Sequence, residues 1–382
     1  MIPLCVPHIQ NSSAIKYIND CIDTEWVSSA GGYVPKFEDM LAQMVGTKYA
    51  VAVNSGTSAL HLAMIAAGVL PNDEVVIPTI TFVATANAVR YVGAYPVFID
   101  CEDVYCQMDM DKLRYFLYER CVRMDDGVYN KTTKRRVKAV VVAHLLGHPS
   151  PFMQDLLTWA TDLGLVVIED AAQALGARTG GLKAGGIGDI GCFSFNGNKL
   201  ITCGAGGAVV TNKADIAAKV KHLSTQATLT TSEYEHDMIG YNYRMSNLHA
   251  ALGCSQLEDV YEFIHRKRCV ADFYRDNLQI DGISVMWTHP RVYSTFWLST
   301  IFVDDRIGRD PLQRFLKKRG IETRAIWQPL HLLPMYRGCY AFDIYVAHSI
   351  RRRALNLPSS VGLKHKDQKI VCDAILEFVG GV

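Results

Sequence analysis

The stretch Cys192–Thr211, CFSFNGNKLITCGAGGAVVT, decides how the rest of the chain is read. Two apolar runs flank a polar turn that carries a single lysine, Lys199. Ile190–Phe195 and Ala208–Thr211 both predict strands, the second entered through Gly204, Gly206 and Gly207. A lysine held where water is scarce has a lowered pKa and a nucleophilic amine, as Schiff-base chemistry requires. A surface lysine in a hairpin turn carries the same local pattern, so the decision rests on what surrounds the turn.

Working outward, short apolar strands alternate with helical stretches from Tyr49 onward. Strands are predicted at Tyr49–Val53, Glu74–Pro78, Pro96–Asp100, Lys138–His144 and Leu165–Glu169, in addition to the pair around Lys199. Several are apolar at consecutive positions, the pattern of strands covered on both faces. Helices are predicted between several of them, as at Thr57–Ala67 and Phe152–Leu163, and ahead of them from Ser12 or Ser13 to Asp23 and from Pro35 to Gly46. This is an α/β domain built on a mostly parallel sheet. The basic turn Lys131–Arg136 reads as a solvated loop. Past Met245 one long helical region runs to about Asn277. A smaller α+β unit follows, with strands near Ile283–Trp287, Phe296–Val303 and Ile321–Trp327 and helices near Pro311–Arg319, Ser349–Leu355 and Asp367–Phe378. The boundary is set at residue 255, giving units 1–255 and 256–382.

Composition narrows the function. The net charge of +1 has both signs scattered, which argues against a nucleic-acid or membrane surface. No apolar run is long enough to span a bilayer, and the first residues lack a signal-peptide pattern. The eleven cysteines are odd in number, scattered and without a C-x-x-C pair. They predict reduced thiols in the cytosol, with neither a disulfide framework nor a metal site.

Two further features bear chemistry. Asn54-Ser55-Gly56-Thr57-Ser58 ends a strand and begins a helix, where unpaired N–H groups and the dipole favour phosphate; Ser, Gly and Thr there are also good caps. Asp170 follows the apolar run Leu165–Ile168, at the strand end where open α/β sheets bind ligands, and a helix cap is the alternative. A lysine, an aspartate and a phosphate cradle at the strand ends of one sheet match the needs of pyridoxal phosphate. The lysine forms the imine, the aspartate keeps the pyridine nitrogen protonated and the helix end holds the phosphate.

The stretches NSGTSAL (Asn54–Leu60), PTITFVAT (Pro78–Thr85), EDAAQALGA (Glu169–Ala177), FSFNGNK (Phe193–Lys199), GYNYRMSNLHAALG (Gly240–Gly253) and WQPLH (Trp327–His331) occur in one order along most of the chain. Together they resemble the DegT/DnrJ/EryC1/StrS sugar aminotransferases, a branch of the fold-type-I pyridoxal phosphate enzymes. The resemblance implies a large domain with a mostly parallel mixed sheet and a small C-terminal α+β domain. It implies that Lys199 holds the cofactor covalently, that Asp170 faces the pyridine nitrogen and that Gln173 neighbours the ring hydroxyl. Gly56, Thr57 and Ser194 are then phosphate contacts, and Phe82 stacks on the ring. Asn242 reaches the phosphate of a neighbouring subunit, which implies a homodimer with shared sites. Trp327 and His331 fall in a segment that often lines the sugar site. Ser29, in the Ser-Gly loop Val27–Tyr33, and Arg244 are further candidates for contacting a nucleotide diphosphate, although an arginine just before a helix is more often an ion-pair partner.

Many members carry an acid in the glycine run where this chain has Ala205. The acid-free run and FNGNK resemble a narrower branch acting in the bacillosamine and legionaminic acid pathways. The expected activity is therefore transfer of an amino group from glutamate to carbon 4 of UDP-2-acetamido-2,6-dideoxy-4-keto-hexose, in the cytoplasm, for surface glycan synthesis. Alternatives are a GDP- or dTDP-linked keto sugar, a non-sugar pyridoxal phosphate enzyme, or a non-catalytic regulator on the same frame.

Overall fold

The computed structural model describes residues 1–9, 12–229 and 234–381. The seven predicted strands of the first unit assemble into one sheet: β1 (Tyr49–Val53), β2 (Glu74–Pro78), β3 (Tyr95–Ile99), β4 (Arg136–Ala143), β5 (Val166–Asp170), β6 (Ile190–Ser194) and β7 (Gly207–Thr211). Their order is β1-β7-β6-β5-β4-β2-β3. The strand β7 is antiparallel to both β1 and β6, whereas β6, β5, β4, β2 and β3 run parallel. Val75–Ile77 and Val140–Val142 are fully buried because helices cover both faces of the sheet. Burying each such side chain contributes about 1.5–3 kcal/mol.

Register brings the chemistry to one edge. Gly207 lies opposite both Val53 and Ser194, and Asp170 lies opposite Cys192 on β6 and Ala143 on β4. Three strand ends, the start of the helix Gly56–Ala66 and the turn after β6 therefore surround one volume.

Helix Ser12–Asp23 forms as expected, and Ser13 lies within its first turn and hydrogen-bonds Glu258 at 2.7 Å; the side chain of Ser12 lies outside the described residues. The predicted long helix past Met245 is two, Asn247–Glu258 and Val260–Asn277, broken at Asp259. A division at residue 255 thus falls inside the first of them. The basic turn Lys131–Arg136 follows a hairpin, Cys121–Met124 with Gly127–Asn130, and Arg136 pairs with Asp73 at 2.7 Å, so its end is anchored.

In the C-terminal unit Ile283–Val285, Ser299–Val303, Ala354–Leu357 and Arg324–Ala325 form an antiparallel sheet in that order. The predicted helix Ser349–Leu355 is corrected: the helix is Val346–Arg353, and Ala354–Leu357 is an internal strand. Pairing with Ser299–Val303 and the buried Thr300–Asn356 hydrogen bond of 2.7 Å override the helical pattern. The units interlock. Ile2 bridges Ile321, Ser359 N–H donates to Leu4 O, and Ala341–Phe342 extends the large sheet beside β3.

Candidate active site

At the strand edge lies a cavity of about 320 Å³ lined by the turn of Lys199, the helix start at Ser55–Thr57, Asp170, Gln173, Ser194 and Phe82 from the large unit, and by Trp297, Arg324 and Trp327 from the C-terminal unit. Its helix end is a cradle. Ser55 caps the helix by accepting from Ser58 N–H at 3.0 Å, which leaves Gly56 and Thr57 with the uncapped N–H groups of the first turn. Gly56 is required by space: a Cβ there would lie 2.7 Å from the Cβ of Ser194.

Asp170 is buried at the end of β5. Its Oδ2 accepts from Thr85 Oγ1 at 2.6 Å and its Oδ1 from Ala172 N–H at 3.3 Å. Nothing in the PTITFVAT pattern gives Thr85 a role, and only the fold shows that it grips this carboxylate. Gln173 is held by Leu146 N–H, which donates to its Oε1 at 2.7 Å.

Lys199 sits in a turn whose base is closed by Phe195 N–H to Gly206 O and Cys203 N–H to Phe195 O, both 2.9 Å. Its Nζ lies 4.3 Å from the centre of the Trp297 ring. The side chain is partly open to the cavity, yet protein encloses the ammonium. Burial pulls its pKa down to about 8, against the opposing pull of the Asp170 carboxylate and of Cys5. Trp297 is tied to the same turn, its Nε1–H donating to Asn198 O at 2.6 Å. No local pattern in TFWLST marks Trp297 as a site residue.

The structure separates the remaining predicted residues. Phe82 is half exposed on the cavity wall, where a ring could stack, and so is not core. Trp327 lines the cavity. His331 does not: its Nδ1 hydrogen-bonds Thr79 Oγ1 at 2.6 Å, and burial lowers its pKa. Arg244 lies outside the cavity, bonded to Glu38 at 2.6 Å and Ala52 O at 3.0 Å, the ion-pair alternative of the sequence. Ser29 is exposed and off the cavity of its own chain, as is Asn242, whose backbone carbonyl accepts from Asn54 at 3.2 Å. Among the described residues no group of histidine, cysteine, aspartate or glutamate forms a metal site.

These groups fit pyridoxal phosphate: an uncapped helix start kept open by Gly56, a buried carboxylate, and an amine of lowered pKa between them. Comparisons with known proteins agree. The profile of the DegT/DnrJ/EryC1/StrS aminotransferase family matches residues 8–376. The chain is 38% identical over 380 residues to the GDP-perosamine synthase of Escherichia coli O157:H7, covering 99% of this chain and 98% of that one. It is 37% identical over 381 residues to the GDP-perosamine synthase of Vibrio cholerae, covering 99% of each. The solved structure of DesV from S. venezuelae matches with a TM-score of 0.85 at 31% identity, covering 96% of this chain and 94% of that one. The chain therefore belongs to the DegT/DnrJ/EryC1/StrS family and is a pyridoxal phosphate-dependent aminotransferase of fold type I.

Proposed function

We propose that the protein moves an amino group from glutamate to carbon 4 of a nucleotide-linked 4-keto-6-deoxy-hexose, and that the nucleotide is GDP. The observation that carries the choice is the similarity, over nearly the whole of both chains, to two GDP-perosamine synthases. It weighs more than Ala205 and FNGNK, on which the UDP-linked bacillosamine and legionaminic expectation stands.

The proposed roles follow from placement. Lys199 would hold the cofactor, Asp170 would face its ring nitrogen, Gln173 its hydroxyl, Phe82 one ring face, and Gly56, Thr57 and Ser194 its phosphate. Pyridoxal phosphate, when bound, supplies an electron sink for the carbon that gains or loses a proton. With its pKa pulled down to about 8, the amine of Lys199 gives up a proton near neutrality far more readily than an ordinary lysine, which suits it to carry that proton in both halves of the transfer. The Asp170 carboxyl is held in place at the cavity floor because Thr85 Oγ1 and Ala172 N–H both donate to it. Trp297 shields the Lys199 amine from water, and Trp327 and Arg324 form the wall left for the sugar nucleotide.

The working unit in this reading is a homodimer, with Asn242, exposed and off its own cavity, reaching the phosphate of the second copy, and Ser29 near that copy's substrate. Units 1–255 and 256–382 remain the proposed division, with the helix break at Asp259 the nearest physical boundary. Among the described residues no helix is long and apolar enough to cross a membrane. All eleven cysteines are free, which supports placement in the reducing cytoplasm.

The test is incubation with glutamate and either a GDP-linked 4-keto-6-deoxy-hexose or the UDP-linked acetamido sugar, with the product read by mass spectrometry and NMR. An amine at carbon 4 of the GDP sugar is expected. Turnover of the UDP sugar alone would restore the earlier expectation, and turnover of neither would refute a 4-keto substrate of these two kinds.

A further inference from the structure

Glu169 and Asp170 are consecutive on β5, and their side chains do different work. Glu169 is fully buried, away from the cavity. Its Oε1 accepts from Ile187 N–H at 2.7 Å and Gly188 N–H at 2.6 Å; its Oε2 accepts from Gly185 N–H at 2.8 Å and from His144 Nε2 at 2.8 Å. Four donors and no acceptor face it, so it serves as a carboxylate. The loop must be glycine-rich to wrap this closely: Gly185 has φ +87°, and a Cβ there would lie 2.4 Å from the Phe193 ring. His144 Nδ1 accepts from Ser150 N–H at 3.3 Å, which assigns the ring proton to Nε2, toward Glu169.

His144 is also the hinge of the cavity floor. Its N–H donates to Asp170 O at 3.0 Å, and it opens the buried segment His144–Ser150, whose Leu146 N–H holds Gln173. Leu146 has φ +60°, a conformation that a leucine keeps only where its surroundings impose it.

We propose that Glu169 and His144 are positioning residues for the cofactor: together they fix the strand end that presents Asp170 and the segment that presents Gln173. This rests on the reading that Asp170 and Gln173 face the cofactor ring. The pair gives one rigid joint to three pieces of chain, at residues 144–150, 169–173 and 185–188.

The test compares full-length His144→Leu, His144→Gln and, as a control for lost stability at a distant core site, Ile375→Ala. Cofactor affinity is measured by absorbance titration of cofactor-stripped protein, beside the melting temperature. His144→Leu should weaken cofactor binding about tenfold, and His144→Gln, whose amide can still donate to Glu169, should recover most of it. Ile375→Ala should lower the melting temperature with affinity within about twofold. Glu169→Gln, which turns an amide N–H toward backbone donors, should be more severe than His144→Leu. If His144→Leu loses stability but binds cofactor as well as Ile375→Ala does, the positioning role is overturned and the pair is purely structural. If the wild type binds cofactor but aminates no nucleotide sugar, the proposed function fails while the affinity result still decides the positioning role.

Discussion

The two walls of the cavity are built in opposite ways. One consists of strand ends and the turns that follow them: Asp170 from β5, Ser194 and Lys199 from and after β6, Gly56 and Thr57 after β1. Strand pairing and register place these side chains, parallel from β4 through β5 to β6 and antiparallel through β7 to β1. The other wall, Trp297, Arg324 and Trp327, belongs to the C-terminal unit and is held by remote pieces of chain. Its keystone is Lys267, a fully buried ammonium that donates to Trp297 O at 2.8 Å and Ser359 O at 2.6 Å, with Cys5 Sγ at 3.6 Å. No carboxylate pairs with it among the described residues, and burial lowers its pKa. The sheet-built wall carries the groups to which the proposed function assigns the chemistry. The assembled wall encloses the Lys199 amine through Trp297 and leaves Arg324 and Trp327 facing the rest of the cavity.

Substitutions should separate the walls. The largest effect is expected of Lys199→Ala: turnover falls by about 10³-fold or more, with cofactor still bound weakly. Borohydride reduction of the wild type followed by peptide mapping should place the label on Lys199, and label on another lysine would remove it from the site. Next comes pH. The neutral amine is the reactive form, so covalent loading of cofactor-stripped protein should rise with pH up to about 8 and then level. Two units below that value, loading should be slower by roughly 10²-fold. A rise continuing to the ordinary lysine value of 10.5 would show that the second wall does not keep water from Lys199.

Asp170→Asn should cost on the order of 10²-fold in turnover with the fold retained, because the amide cannot stabilise a protonated ring by charge. Near-normal activity at saturating cofactor would reduce Asp170 to a helix cap, a role asparagine fills well. On the opposite wall, Lys267→Met leaves two buried carbonyls without a donor and should lower the melting temperature. It should raise KM for the nucleotide sugar about tenfold, with borohydride labelling of Lys199 intact. Lost labelling would mean that the walls are not separable. Arg324→Ala is the mildest, a few-fold in KM, because this guanidinium is exposed and forms no ion pair among the described residues. A similar loss in kcat would move Arg324 from the shaping wall to the reactive one.

Much of this contrast was legible beforehand. Strands β1 and β2 were predicted to the residue, and the other five to within two residues at each end, because strands buried on both faces are written as continuous apolar runs. The C-terminal unit was read less well. Ala354–Leu357 continues the pattern of an arginine-rich helix, and only partners at Ser299–Val303 make it a strand. Ile321–Trp327 holds just two strand residues for the same reason. Arg244 shows the limit of residue type: a guanidinium suits a diphosphate, but Glu38 claims it.

By itself, the sequence determined the sheet and marked the helix start at Gly56, Asp170 and Lys199 as candidates for one site, since each lies at a break in an apolar run where local pattern and sheet register coincide. Only the tertiary structure decided that Thr85 grips Asp170, that Glu169 turns away from the cavity into a glycine loop, and that Trp297 covers Lys199. Those partners lie 85, 16 and 98 residues away in the chain. No periodicity spans such distances; they are closed by burial of the core and by the need of each buried polar group for a partner.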